Sequence, residues 1–184
     1  MEVKGIAVAS IPKFVQHDFE SRFKEWIDSL SKESQTIMKG TILMSNWYPM
    51  QEAVIEPTSK ICDLFYGYQN QGAWDAGRFS ADYALKGIYK IFVKFGSPEF
   101  LIKRASRIMT TYYRPSKLSV PETSSGKAKV HISEFTEPNQ FVELRIAGWI
   151  ERALEISGCK EPDVKITYSL TRGDSITEIT AKWK

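Results

Sequence analysis

The residues able to do chemistry are few. His17 and His131 are the chain's only imidazoles. His17 stands beside Asp18 at the polar edge of an early helix. His131 alternates with Val130 and Ile132 in an extended segment, which turns it away from the face those two bury. Neither belongs to an HExxH or a Cys/His cluster, so no metal site is expected. No GxSxG elbow presents a nucleophile. Gly72 to Gly77 has the GxxxxG spacing of a phosphate loop, but Arg78 and Phe79 follow it where Lys and Ser or Thr are required. It reads as a turn with Asp75 capping the next helix. Ser124-Ser125-Gly126-Lys127 lacks the upstream glycine. Arg172-Gly173-Asp174 matches a tripeptide that cell-surface receptors read, and it is equally the chemistry of a hairpin turn, the reading adopted. No catalytic residues are expected, and an enzyme is the weakest of three function classes.

Two groups of side chains suggest binding instead. The first is basic. Ser97, Pro98 and Glu99 open a helix that carries Lys103, Arg104, Arg107 and Arg114, with Lys117 beyond its end. At 100° per residue, Lys103, Arg107 and Arg114 fall within about 40° of one another, opposite Leu101, Ala105, Ile108 and Tyr112. That face is either solvated or a surface for an anionic head group or partner. The second group is aromatic and apolar: Phe92, Phe95, Phe100, Ile108, Met109, Tyr112, Tyr113 and Trp149. These either line an apolar pocket or fill a core.

The elements that must position these residues follow from periodicity. Val3 to Ala9 reads as a short strand. Pro12 opens a helical region through Leu30, and Ser31 caps a further turn that Gly40 ends. From Met50 to Tyr68 apolar residues recur at the helical period, with a kink expected near Glu56 because Pro57 interrupts it. Phe79 to Phe95 and the helix from Ser97 to Arg114 follow. Residues 115–127 read as an exposed loop. Ala128 to Phe135 alternates as a strand, Asn139 opens a helix that Gly158 stops, and Val164 to Leu170 with Thr177 to Trp183 form a hairpin. The order predicts an α+β fold, an antiparallel sheet covered by a bundle of helices, in one domain spanning 1–184.

Composition agrees. The chain has 184 residues, 42% hydrophobic and 12% aromatic, and a net charge of +3 from 25 basic and 22 acidic side chains. That excludes a disordered chain and argues against nucleic acid as partner. No apolar run approaches the ~18 residues a membrane span needs. The first ten residues lack the long apolar core of a secretory signal. Cys62 and Cys159, far apart and without a framework, read as free thiols of a reducing cytoplasm.

Three segments, KGTILMSNWYP (39–49), KFGSPEFLIKRASRIMTTYYRPSKL (94–118) and GWIERALEISGC (148–159), together with the hairpin ending in Trp183, resemble a group of uncharacterised bacterial proteins. That group is similar to the haem nitric-oxide-binding and 4-vinyl-reductase-type domains and, in fold, to the small subunits of the Golgi transport particle. The resemblance covers residues 3 to 183. It implies helices over an antiparallel sheet, with an apolar cavity between them in some members. The haem branch uses a proximal His and a Tyr-x-Ser-x-Arg clamp. Tyr113-Arg114-Pro115-Ser116-Lys117 has a different spacing and no His lies in the central helices, so neither haem nor any other cofactor is expected. The 4-vinyl-reductase type often carries cysteines around the last hairpin. Here Cys159 precedes it, but Ser169 and Glu178 lie within it. The resulting expectation is a cytoplasmic, non-catalytic sensory domain for a small hydrophobic or acyl ligand. The alternative is a homodimeric or larger scaffold with a filled core that engages a partner protein.

Overall fold

The computed structural model describes residues 1–85 and 111–184. Strand β1 (Glu2–Lys4) runs directly into helix α1 (Gly5–Asp18). Short helices α2 (Phe23–Asp28) and α3 (Lys32–Lys39) follow, then β2 (Trp47–Pro49). A π-helical turn over Gln51–Ile55 leads into α4 (Glu56–Phe65), and α5 (Gln71–Leu85) comes next. After the undescribed residues come β3 (Tyr113–Arg114), β4 (Lys117–Ser124), β5 (Lys127–Ser133), α6 (Gln140–Ile156), β6 (Asp163–Tyr168) and β7 (Thr177–Lys182). The expected α+β class is met. A four-stranded antiparallel sheet has the order β4-β5-β7-β6, and a small second sheet has the order β2-β1-β3.

Several boundaries differ from expectation, each for a physical reason. The run from Gly5 to Ala9 is helical, because α1 is buried on nearly every side from Gly5 to Val15. A helix without a polar face carries no period that separates it from a buried strand. Pro12 lies inside α1 instead of opening it. The interruption at Pro57 takes the form of the π turn, after which Pro57 occupies the first turn of α4. Helix α5 starts at Gln71, so Asp75 is no cap; it lies within the helix and accepts a 2.8 Å bond from Gln71. The expected loop at 115–127 is mostly strand β4. Leu118 and Val120 alternate with polar residues there, and Pro121 falls where the register with β5 shifts, on an edge strand that tolerates it. Ser31 caps α3 as expected, its hydroxyl accepting from the Ser34 amide at 3.3 Å.

The core rests on α6. Val142, Ile146, Ile150 and Leu154 on this helix join Ala128, Val130, Ile132, Ile179 and Ala181 of the sheet and Val8, Ile11 and Val15 of α1 in one apolar cluster. Helix α6 also crosses α5 at backbone contact. A Cβ on Gly77 of α5 would lie 2.1 Å from the Arg145 carbonyl oxygen, and a Cβ on Gly148 of α6 would lie 2.2 Å from that of Trp74. The two glycines are reciprocal, each facing the residue three before the other. Glycine inside a helix costs about 1 kcal/mol relative to alanine, so both positions are held by the closeness of the crossing.

Ionic contacts flank the crossing. Arg78 of α5 pairs with Glu151 and Glu155 of α6, and Arg152 of α6 pairs with Asp82 at 3.0 Å and with Glu155 at 2.7 Å. Burial pushes the Glu155 carboxyl up, but Arg78 and Arg152 outweigh it and hold the group below its ordinary 4.5. At the other end of α6 the buried Glu143 carboxylate accepts from Ser169 at 2.6 Å, from Thr171 at 3.0 Å and from Thr177. This ties the helix to the β6–β7 connection.

Two predictions follow from the crossing. Gly77→Ala and Gly148→Ala should each cost about 3 kcal/mol through overpacking, seen as a lower urea midpoint at unchanged slope. Glu155 has a depressed pKa in the folded state, so its contribution is complete above about pH 4.5 and is lost as pH falls through the lower folded value. Glu155→Gln should therefore lower the urea midpoint at pH 7 and flatten its decline between pH 5 and pH 3.

Candidate functional site

Three elements converge beside the crossing. Strand β1 holds β3 in register, with Val3 opposite Tyr113, and the Lys4 amide donates to the Tyr112 carbonyl at 2.7 Å. That fixes both tyrosines against the start of α1, where Ala7 lies. Helix α5 contributes Gly77 and, one turn on, Ser80. Helix α6 contributes Arg145, Ile146 and, one turn on, Trp149. Together these residues line a small, partly open cavity of about 20 Å³. Such a space holds one water-sized group.

Arg145 dominates the electrostatics. It is 4% exposed. Its Nη2 donates to the Ala7 carbonyl at 3.3 Å, while Nε and Nη1 are buried without a hydrogen-bond partner. Burial pulls the Arg145 pKa down, with Tyr113 and Cys62 acting in the opposite sense. An arginine side chain nevertheless keeps its proton in proteins, so the group stays a cation. Its titratable neighbours supply no counter-charge at neutral pH. Burial raises the Tyr113 phenol, against a smaller downward pull from Arg145. Burial likewise raises the Cys62 thiol, up to about 11. The carboxylates of α5 and α6 are engaged elsewhere: Asp75 accepts from Gln71 at 2.8 Å, Asp82, Glu151 and Glu155 pair with arginines, and Glu143 accepts from three hydroxyls. Among the described residues the result is a small cavity with one positive charge that no described carboxylate pairs, polar groups from Ser80 and the tyrosines, and apolar walls from Ala7, Ile146 and Trp149.

Of the pocket residues expected from sequence, Tyr112, Tyr113 and Trp149 are brought together here. Phe92, Phe95, Phe100, Ile108 and Met109 lie outside the described residues, as do Lys103, Arg104 and Arg107 of the expected basic face. Arg114 departs from that face. It lies on β3 instead of a helix, bonds Glu2 at 2.6 Å and rests over the Trp47 ring at 4.1 Å. Lys117, on β4, stands 3.6 Å from Glu134. Both basic residues are thus paired with carboxylates. His17 pairs with Asp18, and His131 bonds Glu178 at 2.8 Å on the outer side of the large sheet. Cys62 and Cys159 are free thiols, both buried.

Sequence reasoning missed Arg145, although a signal was there. On a wheel at 100° per residue, Arg145 falls at the edge of the apolar stripe of α6, about 40° from Trp149 and 60° from Val142 on one side and about 20° from Arg152 on the other. A charge bordering a buried stripe is a faint mark of a special position. Ala7, Gly77 and Ser80 gave no comparable sign.

No family model matches the sequence, and no curated protein matches it. Solved structures do. An H-NOX protein from S. oneidensis in the Fe(II)NO ligation state aligns at a TM-score of 0.73, with 11% identity, over 98% of this chain and 99% of that one. The Fe(II) unliganded H-NOX protein from K. algicida aligns at 0.67, with 10% identity, over 98% and 96%. A mutant H-NOX of T. Tengcongensis aligns at 0.66, with 13% identity, over 98% and 97%. The chain has the H-NOX fold. The resemblance read from its segments to the haem nitric-oxide-binding domains is therefore met at the level of architecture. Among the described residues of this H-NOX-like chain, no helix is long and apolar enough to cross a membrane, and no group of His, Cys, Asp and Glu is placed to hold a metal ion.

The raised Cys62 pKa has a measurable consequence. With burial holding the thiol protonated, its labelling by iodoacetamide at pH 8 should be slower than that of an unfolded-chain cysteine by at least a hundredfold, and should rise with urea as the chain unfolds. Peptide mapping after timed labelling checks this.

Proposed function

We propose that this chain is a non-catalytic sensory domain that binds a small ligand, without haem, between α1, α5 and α6. What carries the reading is the convergence of Tyr112, Tyr113, Trp149 and Arg145 on one small cavity, within a fold whose solved neighbours include iron- and NO-ligated H-NOX proteins. The cavity wall is mainly aromatic and aliphatic with few polar groups, the usual make-up of a small-molecule site. Ligand occupancy would bear on the α5–α6 crossing directly, because Arg145 and Gly77 both belong to the wall and to the crossing. Glu143, two residues from Arg145, links the same helix to the final β-connection. Binding that shifts α6 would therefore be felt at the surface.

The donor set argues against haem. Iron in a haem is held by His, Cys thiolate, Tyr or Met. Neither histidine is among the cavity residues, and each is bonded to a carboxylate elsewhere. The Cys62 thiol is held protonated by burial. An uncompensated guanidinium also sits in the wall. Tyr112 and Tyr113 do line the cavity, but burial keeps the Tyr113 phenol protonated and a space of about 20 Å³ is far too small for a macrocycle, so the residues described here do not fit a haem site.

A filled-core scaffold, homodimeric or joined to another protein, is the second reading, favoured by the small size of the cavity. Exposed Leu43 and Met44, about half accessible in the loop before β2, would supply an apolar contact for it.

The two readings separate in one set of measurements. Native mass spectrometry of the chain purified from its own host should show a retained small molecule, and the absorption spectrum should lack a Soret band. A ligand at 100 times its Kd stabilises by about 2.7 kcal/mol. For a chain of this length that raises Tm by roughly 5–10 °C. A bare mass, no Tm shift across a panel of small acids and apolar compounds, and a stable dimer by light scattering would favour the scaffold. A strong Soret band would refute the haem-free reading.

A further inference from the structure

A buried cation with no carboxylate partner among the described residues demands an explanation. Removing a guanidinium from water costs several kcal/mol, and the loss is ordinarily repaid by an ion pair with full hydrogen bonding. Arg145 has one 3.3 Å bond to a carbonyl and nothing on Nε or Nη1. Deprotonation is closed to arginine. Tyr113 and Cys62 are held neutral, and the carboxylates of α5 and α6 have other partners. The chain itself, among the described residues, therefore leaves three N–H donors and one positive charge facing a cavity bounded by rings and aliphatic carbon.

From this we infer that Arg145 recognises a carboxylate: the ligand is a small organic acid, its head group accepting from Nε and Nη1, its carbon body against Trp149 and the tyrosine rings. The inference rests on the ligand-binding reading above and deepens it. A monoanion follows from charge balance. One guanidinium neutralises one carboxylate, whereas a phosphate dianion would leave excess negative charge in a wall whose described residues include no second cation. Charge-assisted bonds from arginine to carboxylate are among the strongest polar contacts, and arginine's planar donors suit a planar acceptor. The cavity accepts one water-sized group, enough for one carboxylate oxygen, so the second oxygen and the carbon body both require neighbouring side chains to move. The side chains that would give way are Tyr112 and Trp149, both partly buried and both lining the cavity.

The test uses the full chain with acetate, butyrate and octanoate, each against the alcohol of equal length, and with inorganic phosphate. Calorimetric titration should find each acid binding at least tenfold more tightly than its alcohol, the longer acids more tightly than acetate, and phosphate not at all. Arg145→Met removes the charge at similar length. Without ligand this variant should melt several degrees above the wild type, since an uncompensated buried charge has gone, and acid and alcohol should then bind within twofold of each other. Alcohols binding the wild type as tightly as the acids would overturn the inference while leaving the ligand-binding reading in place. Phosphate binding more tightly than the acids would likewise overturn it. No binding of any probe, with Arg145→Met melting below the wild type, would make Arg145 a structural cation and also end the inference; the native mass of the host-purified chain then judges the ligand-binding reading separately. If Arg145→Met does not fold, the acid-to-alcohol ratio on the wild type decides alone.

Discussion

The contact of two helix backbones at Gly77 and Gly148 is the constraint on which the rest depends. Only residues without a Cβ allow α5 and α6 to approach so closely, and the approach has two results. It lets α6 serve at once as a wall for the α5 side and as the cover of the large sheet, so one apolar cluster runs from α1 to β7. It also fixes the Arg145 backbone against α5, and the Arg145 side chain is buried beside the crossing, 4% exposed. The buried charge is thus a consequence of the crossing and not an isolated oddity of one residue.

The polar groups around α6 divide into satisfied and unsatisfied ones. Arg78, Arg152, Asp82, Glu151 and Glu155 form a closed network along one side of the crossing. Glu143 is satisfied by three hydroxyls at the start of the helix. Arg145 lies between these two sets and shares in neither. A protein interior tolerates a missing hydrogen bond at a cost, but an unpaired charge costs more than any single contact in this core supplies. That contrast, within one turn of one helix, is why the cavity reads as a binding site and not as a packing defect.

Much of the architecture was legible in the sequence. The alternation of Val130 with Ile132 and of Ile179 with Ala181 fixed the strands β5 and β7, and the cap at Ser31 fixed α3. What misled was burial on all sides. The run Gly5 to Ala9 shows no period because α1 has almost no solvent face, and Leu118 and Val120 were hidden among Pro and Ser on an edge strand. Three of the eight site residues were legible in the same way: Tyr112, Tyr113 and Trp149 stand out as large rings at the ends of apolar patterns. Arg145 is hidden from the sequence because it stands at the edge of the apolar stripe beside Arg152, where a basic residue is ordinarily assigned to the wet face. Gly77 was taken for part of a turn, since a glycine's role in helix crossing depends on a partner helix that lies about seventy residues away.

The most direct measurement is a high-resolution crystal structure of the chain isolated from its own host and never exposed to carboxylate buffers. The account predicts continuous density beside Arg145, with a planar group's oxygen atoms about 2.8 Å from Nε and Nη1 and a carbon body against the Trp149 ring. A lone water at that place, or a carboxylate side chain of the protein itself reaching Arg145, would contradict it.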